Sequence, residues 1–374
     1  MKTLQQGKNE QCCVDVIVPC YNYGRYLTEC VESVLHQAGV RVRVLIIDDA
    51  SSDNTHEVGT YLASQDARVL YRRHATNQGH IETFNEGIHW ASSEYQLLLS
   101  ADDALMPHAL STAVSILSTD RGAGFVYGQA IIGPSFTPSI RDASDRSLDY
   151  CTVSSRQFLD YCCTNVLNPV PTPAAIIRTD LQKLVGGYRR DLPHTGDLEL
   201  WMRLAARGRV AISKSVFAFY RRHESNMTYL RQYPGVGDLI EYSKAFASVL
   251  NTQANRIENL EELRTIAESS VAWKAFWSGA IEFERGNLAV SEKCLSLAQT
   301  LYPSITNTRS WHRMQWKRFL GAWVFATMKR LRGESEHVAS QLKLMKPKQI
   351  GWWPDIAGQA RSVDVDADGV VVAE

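Results

Sequence analysis

The chain has no excess of charge: 40 Lys and Arg balance 40 Asp and Glu, for a formal net charge of zero. No global field recruits nucleic acid, and that class of partner is excluded. Its eight Cys fall as Cys12-Cys13, Cys162-Cys163 and singles at 20, 30, 151 and 294, with no C-x-x-C pair among them. Met1 to Gln11 is polar and carries no apolar signal core, so inert thiols in a reducing cytosol are expected. Long apolar runs are missing too; the charge-free stretch Phe319 to Met328 is about half of the ~20 residues that a membrane span requires. Asp364-Val365-Asp366-Ala367-Asp368-Gly369 imitates a calcium loop, but no Glu stands at its twelfth position and no flanking helices are evident, which excludes calcium there.

What is present is an alternation. Val14 to Val18, closed by Pro19, reads as a buried first strand, and no Gly-rich dinucleotide fingerprint follows it. A helix over Tyr26 to Gln37, a strand from Val42 into Asp48 and Asp49, a helix over Asn54 to Ser64 and a strand over Arg68 to Tyr71 come next. A helix over Ile81 to Ala91 then leads to the strand Tyr95 to Leu99, which runs straight into Ser100-Ala101-Asp102-Asp103. Strands alternating with ten-residue helices predict βαβ units and a parallel sheet, whose ligand crevice lies beyond the strand carboxyl ends. Every acid-bearing loop falls on that edge. Paired carboxylates there are hard oxygen ligands for Mg²⁺ or Mn²⁺, or else a solvated turn capping the helix that starts near Pro107.

Six segments stand in one order: Val18-Pro19-Cys20-Tyr21-Asn22; Ile47-Asp48-Asp49-Ala50-Ser51-Ser52-Asp53; Asn77-Gln78-Gly79 with Asn85; Ser100-Ala101-Asp102-Asp103; Gly196-Asp197-Leu198-Glu199-Leu200-Trp201-Met202-Arg203-Leu204; and Tyr220-Arg221-Arg222-His223. Together they resemble a family 2 glycosyltransferase over roughly residues 13 to 228. The resemblance implies an inverting enzyme of the GT-A fold: α/β, with a doubly wound, mostly parallel sheet, flanking helices, and an α-helical C-terminal region. The expected division is a flexible 1–12, a catalytic domain over 13–230, a helical region over 231–335 and a tail over 336–374.

Carried over residue by residue, the resemblance implies that Pro19 and Tyr21 wall the base pocket and that Asp49 accepts a hydrogen bond from the base, although an Asx-turn with Ser51 and Asp53 also suits Asp49. Asn77 and Gly79 let the chain approach the nucleotide, or form an ordinary turn. The family's first acid of Asp-x-Asp-Asp is here Ser100, which leaves Asp102 near the ribose or metal and Asp103 on the metal. His223 is the expected third ligand and suits Mn²⁺ better than Mg²⁺. Arg221 and Arg222 are phosphate contacts or surface charges beside Glu224. Asp197, before an apolar-faced helix, is the implied catalytic base, or first of all an N-cap.

The implied reaction moves a sugar from a nucleotide diphosphate donor to a glycan, lipid-linked saccharide or protein, in cell-surface polysaccharide or glycoconjugate synthesis. A nucleotidyltransferase would want a Gly-rich basic loop after the first strand, and Pro19-Cys20-Tyr21-Asn22-Tyr23-Gly24 is not one. A helical scaffold with a degenerate sugar-nucleotide domain is disfavoured by the presence of Asp102, Asp103 and Asp197. In the C-terminal region the predicted helices are Asp238 to Leu250 and Asn255 to about Ser278. The pair Trp273 to Glu284 and Ala289 to Leu301 resembles one tetratricopeptide hairpin, read as a helical cap. Residues 135–150 are expected to form a loop over the acceptor side. Residues 311–332 interleave Trp and Phe with Arg and Lys, which suits either a peripheral contact with the inner membrane face or a helix packed on the enzyme.

Overall fold

Eight apolar residues from Val14 to Ile47 on two adjacent strands have at most 1% of their surface exposed, and around them the sheet is built. In the computed structural model of the chain, residues 12–137, 149–224, 226 and 235–321 are described, with the backbone of a strand at 348–350. Two compact units are present; the first holds residues up to Phe158, then Pro169–His223 and Lys346–Trp352.

In the first unit β1 (Cys13–Cys20), β2 (Arg41–Asp48), β3 (Val69–Arg73) and β4 (Tyr95–Leu98) are joined by α1 (Gly24–Leu35), α2 (Thr55–Gln65) and α3 (His80–Trp90). They pair in parallel in the order β3-β2-β1-β4, as three successive βαβ crossovers require. The second half of the sheet is mixed. After β5 (Ala104–Leu105) and α4 (Ala109–Thr119) come β6 (Ala123–Gly133), β7 (Tyr150–Val153), β8 (Ala175–Arg178) and β9 (Arg209–Arg221). Strand β8 runs antiparallel to both β4 and β6, whereas β6 and β9 are parallel. Register shifts along β6 bend it, and the far ends of β9 pair with β5 and β7. A further strand, β10 (Lys348–Ile350), lies antiparallel on β6 within the stretch read as a tail; residues 322–347 and 351–374 lie outside the described residues, as do 1–11 and the 138–148 part of the acceptor-side loop.

The second unit contains the helices Val236–Thr252, Leu260–Glu284, Leu288–Leu301 and Arg309–Leu320. The helix predicted to end near Ser278 and the first member of the hairpin pair, Trp273 to Glu284, belong to one helix of 25 residues, Leu260–Glu284, with Trp273 in its interior. Its partner Leu288–Leu301 packs close because Gly279 has no side chain; a Cβ there would lie 3.1 Å from both Cys294 Cβ and Leu295 Cγ. Ser291 Oγ donates to the Gly279 carbonyl at 2.7 Å across the same contact. No helix among the described residues is long and apolar enough to cross a membrane.

Candidate active site

The parallel half of the sheet delivers its loops to one edge, and hydrogen bonds knit those loops together. Ser51 Oγ accepts from Asn22 N at 2.9 Å, Asn22 Oδ1 accepts from Ser52 N at 2.8 Å, and Asp53 Oδ2 accepts from Gly24 N at 3.0 Å. Asn22 and Ala50 both adopt left-handed backbone angles to make this join, and for Ala50 that conformation is a strained one. Much of the Asp48 to Asp53 acid cluster is therefore scaffolding. Tyr21 emerges from the stitched loop with 48% of its surface exposed, an open ring face at the strand edge. Pro19 is buried in β1, and its carbonyl accepts from Ala101 N at 3.3 Å, which carries the pairing of β4 with β1 into the Asp102 turn.

Asp49 is buried and has three partners. Its Oδ1 accepts from Gln78 N at 2.7 Å and meets His74 Nδ1 at 2.7 Å, and its Oδ2 accepts from Gly79 N at 2.9 Å. Within the protein the residue thus anchors the Asn77-Gln78-Gly79 turn to β2. Asn77 Oδ1 also accepts from Gly79 N, and Gly79 sits at φ +86°, a conformation that favours glycine. His74 bridges onward to Glu86 on α3, with Nε2 at 2.7 Å from Oε2; the two carboxylates raise its pKa against the opposing pull of burial.

Asp102 and Asp103, expected in an open loop, are buried, with 5% and 3% of their surface exposed. Burial raises both carboxyl pKa values, and for Asp103 the neighbouring Asp102 charge adds to the rise. Arg221 is the counter-charge. Its backbone N donates to Asp103 Oδ1 at 2.9 Å and its Nε to the Asp102 carbonyl at 2.8 Å, while its far guanidinium nitrogen pairs with Glu29 on α1. Arg221, implied at the donor's phosphates, is thus a buried brace of the acid turn rather than a surface charge. His223 places Nε2 3.1 Å from Asp102 Oδ2, with Tyr26 stacked on its ring at 5.3 Å and Tyr23 edge-on at the same distance. The structure sets His223 beside Asp102, with Asp103 next to Asp102 in the same turn. Among the described residues no three His, Cys, Asp or Glu side chains converge as a ready-made cage. The chemistry of the set nonetheless suits a divalent cation, because two adjacent carboxylates held out of water gain most from one.

Asp197 is the second residue of the helix Gly196–Ala205; the N-cap is Thr195. The capping role considered for Asp197 is therefore corrected, since its side chain turns away from its own helix. Its Oδ2 accepts from Thr172 Oγ1 at 2.9 Å, and the Tyr188 hydroxyl donates to the same carboxylate. Burial raises the Asp197 pKa above the usual carboxylate range, opposed by these two hydrogen bonds and by the charge of His80. The rest of the Leu-Trp-Met-Arg-Leu segment is structural: Trp201 lies in the core with its ring tilted against Phe125 at 5.5 Å, and Arg203 pairs with buried Glu199 at 2.7 Å. Tyr23, Tyr26, Glu29, Thr172 and Tyr188 escaped sequence reasoning. For Thr172 and Tyr188 no local signal exists, because only the tertiary fold sets them against Asp197.

A parallel sheet edge with paired acids, continued into a mixed second half, is the architecture of GT-A glycosyltransferases. S. aureus TarS, solved as a fragment in complex with UDP, superposes with a TM-score of 0.58 over 91% of this chain and 97% of that one, at 15% identity. Residues 15–184 match the model of glycosyl transferase family 2. Curated relatives include an uncharacterized glycosyltransferase of Nostoc, 33% identical over 136 residues, or 36% of this chain and 39% of the relative. Another is the glycosyltransferase GlyG of Streptococcus pneumoniae, 34% identical over 99 residues, or 26% of this chain and 33% of the relative. The chain thus matches little more than a third of the length of these relatives.

Proposed function

We propose that this chain is an inverting glycosyltransferase that moves a sugar from a nucleotide diphosphate donor to a hydroxyl of a glycan, lipid-linked saccharide or protein. The observation that carries the reading is a division of labour between carboxyls: a buried pair, Asp102 and Asp103, and a separate Asp197 that Thr172 holds and whose pKa burial raises above the usual carboxylate range, the direction that strengthens a base. Tyr21 offers the stacking face for the base, beside the turn that Asp49 anchors. In the reaction the acceptor oxygen bonds to the anomeric carbon as the bond from that carbon to the diphosphate oxygen breaks. The acceptor's proton passes to Asp197, and the nucleoside diphosphate departs. Asp102 and Asp103, with His223 beside Asp102, would hold a divalent cation, Mn²⁺ or Mg²⁺, which when bound would supply positive charge to the leaving group. No carboxylate nucleophile is needed, in contrast with a retaining glycosidase.

A panel of UDP- and GDP-sugars incubated with the purified chain and Mn²⁺ is expected to release nucleoside diphosphate from at least one donor. Absence of both release and thermal stabilisation across the panel overturns the reading.

The Arg309–Leu320 helix adds a location. Trp311 and Met314 are buried on one side, while Trp316, Phe319 and Leu320 are 67%, 82% and 51% exposed on the other, beside exposed Arg313. The helix contains no acid. That combination fits an anionic membrane surface, where a lipid-linked acceptor resides; residues 322–332 of the predicted stretch lie outside the described residues. Co-flotation with anionic vesicles at low salt is expected, and Trp316→Ala/Phe319→Ala is expected to abolish it. Failure of the wild-type chain to float removes the membrane role.

A further inference from the structure

Asp197 is held by residues that no sequence motif links to it. At the second position of its helix an Asp commonly turns to the free backbone N–H groups of the first turn, yet this carboxylate reaches across to two hydroxyls instead. Thr172 donates from a 3-10 turn just before β8. Tyr188 donates from the turn that precedes the helix, and its ring is 6% exposed.

That turn is itself fixed from two sides. Asn85 on α3 clamps the Tyr188 backbone with both ends of its amide: Nδ2 donates to Tyr188 O at 2.9 Å and Oδ1 accepts from Tyr188 N at 2.7 Å. The fit leaves no room at the preceding residue, because a Cβ on Gly187 would come within 2.1 Å of Asn85 Oδ1. From the catalytic helix Arg203 donates to the Gly187 carbonyl at 2.8 Å and also to the Val185 carbonyl. Phe84 packs edge-on against the Tyr188 ring at 5.2 Å. The ring is therefore held in place from three sides, with its hydroxyl at the Asp197 carboxylate.

We propose that Tyr188 and Thr172 are positioning residues for Asp197, their two hydroxyls aiming its carboxylate at the acceptor while Asn85 fixes the turn that carries Tyr188. The inference rests on Asp197 being the base. A carboxylate pinned by two donors presents its remaining lone pairs in a fixed direction, which is what in-line attack demands. The donors also stabilise the charged form and so oppose the rise that burial imposes on the Asp197 pKa. The other titratable or charged groups bearing on this corner are His80 at the start of α3, whose charge acts on Asp197 in the same direction, and Arg203, whose charge acts on Tyr188.

The test needs neither donor nor acceptor. The full chain is labelled with [¹³C]aspartate, and the Asp197 side-chain carboxyl signal, assigned by its loss in Asp197→Asn, is titrated by NMR between about pH 3 and 8. Tyr188→Phe and Thr172→Val are each expected to raise the Asp197 pKa by about 0.5–1, and Thr172→Ser to restore the wild-type titration. If Tyr188→Phe does not fold, the Thr172→Val and Thr172→Ser pair decides alone. Wild-type titration in Thr172→Val and in any folded Tyr188→Phe overturns the clamp. That result leaves the base assignment standing, which turnover of Asp197→Asn judges separately.

Discussion

Asp197→Asn reduces sugar transfer by about 10²–10⁴-fold while donor affinity stays within a few-fold of wild type, because a positioned general base typically contributes that much to the rate. The amide keeps the shape of the carboxylate. Thr172 and Tyr188, whose hydroxyls both donate and accept, turn to suit the new NH₂ group, so the melting temperature changes little. Wild-type transfer carries a related signature. Since Asp197 must be ionised to take a proton and its pKa is raised by burial, activity falls as the pH drops through a value above the ordinary carboxylate range. Both results are read in a nucleoside-diphosphate release assay with whichever donor the panel identifies. An Asp197→Asn enzyme within about tenfold of wild type would leave the base elsewhere.

Asp103→Asn eliminates Mn²⁺-dependent nucleotide binding. Alanine is the wrong probe, because Asp103 is buried and accepts from Arg221 N; removing its oxygen strands that N–H, a loss that costs about 1–3 kcal/mol. Asparagine retains the acceptor. It also removes a charge that burial and Asp102 both disfavour, so the melting temperature without ligand is expected to equal or exceed that of wild type. Mn²⁺ with UDP or GDP is expected to stabilise the wild-type chain, and that stabilisation is expected to vanish in the variant and in wild type treated with a chelator. Calorimetry of both nucleotides with and without Mn²⁺ measures the effect, and unchanged Mn²⁺ dependence in the variant refutes the assignment of Asp103.

The line between stability and function at this edge runs through residues that look alike in the sequence. Asp48, Asp49 and Asp53 stand in one acid-rich loop, yet each accepts hydrogen bonds from neighbouring backbone and holds one strand exit to the next. Asp102 and Asp103 follow an apolar strand in the same manner, and there burial, with Arg221 and His223 beside them, leaves two carboxyls whose ionised forms are disfavoured. Residue type does not separate the two cases.

By itself the sequence determined what depends on neighbours in the chain. Strand β1 through α3 follows from runs of β-branched residues alternating with ten-residue amphipathic segments, since those periods fix which faces are buried. The meeting of paired acids with the sheet edge follows for the same reason: Leu97 to Leu99 must lie in the core, and Asp102 comes three residues later. Tertiary structure decided what depends on distant contact. The antiparallel insertion of β8 between β4 and β6 reflects pairings across about eighty and about fifty residues of chain, which no local period encodes. Thr172 and Tyr188 meet Asp197 only because the turn at 172, the α3 clamp on Tyr188 and the helix at 196 converge. The burial of Asp103 and Arg221 needed 118 residues of intervening chain to fold before one could accept a hydrogen bond from the other. Local pattern sets where a side chain can point, and only packing sets what it meets there.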